Sequence, residues 1–187
     1  MATALTRRET ADGAWLGHGA LGGLLGGGAI MAFEIALAAV ALGASWALLP
    51  LRMAAGILLG PGAVDPASPI VPVAVAGMVV HLTLSAAFGV LFASIMERDA
   101  RRRPAATMLL AAIAYGCGLW LVNFYVIAPF AGWEWFPRRT SPIVQLVAHA
   151  VFYAPLVGLY LHRIESRRRA AVIEAIEPPA VSRRRAA

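Results

Sequence analysis

Between Ile70 and Met96 the chain runs for 27 residues, IVPVAVAGMVVHLTLSAAFGVLFASIM, without a charge. As an α-helix this run is about 40 Å long, at about 1.5 Å per residue. That exceeds the roughly 30 Å of a bilayer's hydrocarbon core. Gly77, His81, Ser85, Gly89 and Ala93 recur every four residues within it, so on a helix they form one narrow stripe. Small side chains at that spacing let a second helix approach closely in lipid. His81 is the one strongly polar side chain of the run and lies on the stripe. It is therefore expected to face a helix bundle and not lipid.

Three more apolar runs complete an all-α, polytopic bundle of four transmembrane helices, expected at about 21–45, 70–96, 105–128 and 141–163. A single transmembrane domain then covers 1–163, and 164–187 is a basic tail. The first run, Gly17 to Leu49, is too long for one upright span. Its glycines include two overlapping GxxxG pairs, Gly22 with Gly26 and Gly23 with Gly27, which read as close helix packing. They do not read as a phosphate loop, because no GKS or GKT follows. Pro50 is expected to break the helix. The ten-residue apolar run around Arg52 is too short to span, so 46–60 reads as an interfacial or re-entrant helix. In it Trp46 sits at headgroup level and Arg52 snorkels to water. Trp133, Trp135 and Phe136 form an aromatic belt before the fourth helix, which Pro155 is expected to bend. Beyond Arg163 the helix is expected to continue a short way and stop at Glu177-Pro178-Pro179; the residues after that stop read as disordered.

The net charge is +6 and every basic residue is Arg. The arginines flank apolar runs, which signals topology and not nucleic acid. Two lie at the N-terminus, four in the 97–104 turn and seven from Arg163 onward, against three in the other connectors. Both termini are therefore expected on the cytoplasmic side of a bacterial inner membrane. Arg7 and Arg8 raise an export signal, but Glu9-Thr10 matches poorly and three apolar runs follow, so the first helix is read as retained. The single cysteine, Cys117, permits neither an intrachain disulfide nor a Cys-based metal motif.

With this topology the sparse polar residues fall at similar depths. His81 lies roughly 16 Å below the outer face, His149 roughly 12 Å, Asn123 roughly 9 Å and Glu34 roughly 16 Å. Gln145 and Tyr153 lie four residues either side of His149 and share its face. An ionised carboxylate in lipid costs about 2.5–3.5 kcal/mol even on lenient insertion scales. Glu34 is therefore expected to turn inward and pair with a histidine, and such a pair can exchange a proton near neutral pH. The plainer reading is that Glu34, His81, Asn123, Gln145, His149 and Tyr153 are interhelical hydrogen-bonding groups. Two sharper readings use the same residues. His81 and His149 are candidate axial ligands of a b-type haem, and with Glu34 they are candidate ligands of zinc or non-haem iron. No nucleophile motif is present, so an enzyme is not the favoured reading. The Gly, Ala and Ser faces also allow a homo-oligomer or a place as accessory subunit in a larger membrane complex.

The segments HLTLSAAFGVLFA, LWLVNFYVIAPF and VQLVAHAVFYAPLVGLYLHR together resemble a group of uncharacterised bacterial inner-membrane proteins. Those have four helices, one His in the second and one in the fourth, and a basic tail. The resemblance spans about 70–163 and implies the same topology. It implies no activity, although one branch of that group is linked to survival in acid.

Overall fold

A computed structural model describes residues 2–96 and 104–176. The charged turn and its four arginines, and the expected stop at Glu177-Pro178-Pro179 with the tail beyond it, lie outside the described residues. Within them the chain is helical, with no strand. Helix α1 covers Ala2–Leu42, α2 Leu49–Leu59 and α3 Ile70–Met96. Helix α4 covers Ala105–Phe130, α5 is the single turn Trp135–Arg138, and α6 covers Pro142–Ile176. Four of them, α1 from Gly13, α3, α4 and α6, are long and apolar enough to cross a membrane.

Helix α1 starts well before the expected Leu21. Residues 2–12 contain Ala, Leu, Arg and Glu and no proline, and such residues cost a helix little. It ends at Gly43, whose φ of 98° lies in the left-handed region that only glycine enters cheaply. Pro50 therefore does not end a helix. It sits in the first turn of α2, where its missing N–H is no loss.

The bundle is held by glycine contacts that divide α1 into two faces. A Cβ atom placed on Gly19 would collide with Gly89 and Ala93 of α3, and one on Gly23 or Gly27 with Ser85. Cβ atoms on Gly22 and Gly26 would instead meet Tyr160, Val157 and Tyr153 of α6. The two overlapping GxxxG pairs thus serve two different helices. Gly116 of α4 lies against the backbone of His149 and Ala150, and Gly158 of α6 against Ala112. Phe92, Met108, Val157 and Leu161 are fully buried between these contacts. The Trp15 indole donates to the Ala93 carbonyl at 2.8 Å.

Helix α2 folds back onto α3. The Leu51 carbonyl occupies the space that a side chain at Gly77 would need, and the Trp135 ring covers Gly56. Arg52 does not snorkel. Its guanidinium donates to the carbonyls of Ala63 (3.3 Å), Asp65 (2.8 Å) and Ser68 (3.2 Å), so it ties down the connector to α3.

Two stretches depart from α geometry, Asn123–Ile127 in α4 and Ala148–Tyr153 in α6. Each is a π turn, and each is followed at once by Ala-Pro. In an α-helix the ring of Pro129 would press on the carbonyl of Tyr125, and that of Pro155 on the carbonyl of Val151. A wider turn relieves both. The amide before each proline reaches back five residues, Ala128 to the Asn123 carbonyl and Ala154 to the His149 carbonyl.

Candidate functional site

Toward the end of the bundle that carries α2 and α5 the four long helices line a half-open cavity of about 650 Å³. All six singled-out polar residues line it: Glu34 from α1, His81 from α3, Asn123 from α4, and Gln145, His149 and Tyr153 from α6. The rest of the lining is mostly apolar. Leu49, Met53 and Ile57 of α2 form one wall, and Phe88, Phe124, Trp133 and Phe136 add aromatic surface. Arg139, Thr140 and Ser141 stand at the mouth.

The hydrogen bonds differ from those expected. Glu34 takes its bond from Gln145, whose Nε2 donates to Oε1 at 2.5 Å. Neither imidazole pairs with the carboxylate among the described residues. His81 Nε2 lies 2.8 Å from the Gly27 carbonyl, and His149 Nδ1 lies 2.7 Å from the Gln145 carbonyl. A carbonyl only accepts, so both of those ring nitrogens carry hydrogen. The Tyr153 hydroxyl donates to the Ser85 carbonyl at 2.6 Å. The physical reason is local. Gly27 has no side chain, which leaves its carbonyl open to His81. Gln145 precedes His149 by one turn on the same helix and comes between it and α1.

These bonds bear on the two cofactor readings. Haem held between two histidines needs one lone-pair nitrogen from each ring. His149 suits this, because an Nδ1–H fixed on a carbonyl leaves Nε2 free. His81 does not, since its Nε2 is spent on Gly27. The pair is therefore not a ready axial set. Among the described residues no group of three or more His, Cys, Asp or Glu is arranged as a metal-holding cluster, Glu34, His81 and His149 included.

Sequence reasoning missed the part played by α2 and by Phe88, Phe124, Trp133 and Phe136 as cavity wall. One available signal was the paired Ala-Pro at 128–129 and 154–155, since π turns occur often at functional sites. Another polar pair stands apart from the cavity: His18 Nδ1 lies 3.1 Å from the Tyr160 hydroxyl, where α1 and α6 are closely packed.

The chain was compared with protein-family models, with curated proteins and with solved structures, and no match was found in any of the three.

Proposed function

We propose that the protein is a non-enzymatic, multi-pass inner-membrane protein that takes a small apolar solute into an intramembrane pocket whose polar wall exchanges a proton. The observation that carries this is the convergence of six polar side chains from four helices on one otherwise apolar cavity. A cavity of that size, apolar with a few convergent polar groups, has the character of a ligand site. Intramembrane ionisable residues mark solute and proton pathways. The resemblance to four-helix bacterial membrane proteins, one branch of them linked to acid survival, agrees with a proton-linked role. In this reading both termini are cytoplasmic, and α2 is a re-entrant helix dipping from the outer face. A partner-facing role for small residues is a separate reading and falls to glycines with open space beside them, such as Gly28 and Gly118.

Infrared difference spectra of the purified protein, stepped between about pH 5 and pH 9, test the proton exchange. A protonated-carboxyl band should disappear as pH rises, and the change should be absent in Glu34→Gln. A carboxyl band that does not respond to pH removes the reading. Reporter fusions after Arg103 and Arg169 should both report cytoplasm, and one after Asp65 periplasm. A periplasmic signal after Arg169 would invert the proposed orientation.

A further inference from the structure

The ionisable side chains of the cavity have already committed the donors seen in their hydrogen bonds. The two ring N–H groups of His81 and His149 are spent on backbone carbonyls, the Tyr153 hydroxyl on Ser85 and a Gln145 amide N–H on Glu34. Unpaired acceptors on the ionisable side chains are the second oxygen of Glu34, Nε2 of His149 and Nδ1 of His81, while the amides of Asn123 and Gln145 keep N–H groups that can donate. We infer that the pocket binds an apolar organic cation, a substituted ammonium, which sits against Glu34 in place of its proton. The inference rests on the pocket proposed above and names what the pocket takes.

Three features favour a cation over a neutral or anionic solute. A carboxylate is the one acidic side chain of the lining, and removal from water strengthens its attraction for a positive charge. Phe88, Phe124, Trp133 and Phe136 put aromatic rings in the lining, and aromatic rings attract substituted ammonium groups. An anion would meet Glu34 and two nitrogen lone pairs. Arg139 is the opposing charge, but it is exposed at the mouth, where water and salt screen it. The other titratable groups lining the cavity with Glu34 are His81 from α3 and His149 and Tyr153 from α6; α4 contributes the neutral Asn123, and Arg52 of α2 is turned to its own connector.

The exchange balances simply: protonated Glu34 and the cation give a carboxylate–cation pair and one released proton. The test uses the full chain in detergent and three solutes of one shape, 1-naphthylmethylammonium, 1-naphthylmethanol and 1-naphthoate. Equilibrium dialysis is read against protein-free micelles. The ammonium should bind at least about tenfold tighter than the alcohol, and naphthoate weakest, with affinity for the ammonium rising up to about tenfold per pH unit while Glu34 is protonated. Glu34→Gln should bring ammonium and alcohol within about twofold of each other, whereas Glu134→Gln, at an exposed site outside the cavity, should leave the ratio unchanged. Equal binding of ammonium and alcohol by the unaltered protein, or preference for naphthoate, overturns the inference even if Glu34→Gln fails to fold. A pH-responsive carboxyl band together with that failure would leave the proton-exchanging pocket standing and remove only the cationic ligand. Failure of the band would remove the pocket's chemistry itself.

Discussion

The two halves of the bundle use the same four helices in opposite ways. In the half that holds Trp15, Phe92, Met108 and Leu161, glycines let backbones touch and large side chains fill what remains. In the other half the same α1, α3, α4 and α6 line a cavity of about 650 Å³, prolines and polar residues are common, and the close glycine contacts of Gly56 and Gly77 involve α2. Lipid supplies no hydrophobic drive for helices to associate, so contact depends on shape and on polar bonds. The closed half supplies shape. The open half holds together through α2, which packs on α3, and through single bonds such as Gln145 to Glu34. Stability and binding are thus assigned to different lengths of the same helices.

That contrast is easiest to break with leucine. Gly89→Leu puts a side chain where the Gly23 backbone nitrogen and Cα lie 2.7 Å from the first added carbon. Backbone cannot turn aside, so a loss of about 3 kcal/mol or more is expected, visible as lost monodispersity in gel filtration. Ala41→Leu, on the cavity wall, should change stability by less than about 0.5 kcal/mol. Equal damage from both would mean that the open half is packed as tightly as the closed one.

A smaller effect sharpens the polar side. In a double-mutant cycle of thermal stability, Glu34→Ala with Gln145→Ala should show coupling of about 1 kcal/mol. Glu34→Ala with His81→Ala should show less. The reverse order would restore the carboxylate–imidazole pair that depth alone suggested. Smallest of all, Tyr153→Phe keeps the ring beside Gly26 and loses one bond to Ser85, for about 0.6 kcal/mol on the same measurement.

That these polar residues share one level of the bundle was legible in the sequence; azimuth was not. Counting residues at fixed rise placed Glu34, His81, Asn123 and His149 in one layer, and all four line one cavity. Within a layer the count says nothing about which side chain reaches which. There the choice fell to Gln145 and to the bare carbonyl of Gly27. Glycine spacing revealed that α1 packs closely, but not that alternate glycines serve α3 and α6. Arg52 in α2 was misread as a snorkelling charge. Its bonds run along its own chain to residues 63–68, a fold-back that no local pattern encodes.

The π turn at Ala148–Tyr153 has a consequence for how α6 is phased. A ring closed five residues back holds one residue more than an α turn, which offsets everything N-terminal to it by about 100°. Beyond the turn, α6 presents Ala154, Val157, Gly158 and Leu161 inward; before it, Val144 and Gln145 look into the cavity. The helix works like a shaft with an offset coupling, aligned to one set of neighbours below and another above. Removing a single residue from 148–153 and closing the ladder as ordinary α-helix would cancel that offset and leave Gln145 aimed at Glu34, whereas closing the turn without a deletion would swing Gln145 about 100° away. Between homologous chains, a one-residue gap beside this Ala-Pro would therefore be the length difference that leaves the pocket's aim unchanged, because the π turn absorbs the extra residue.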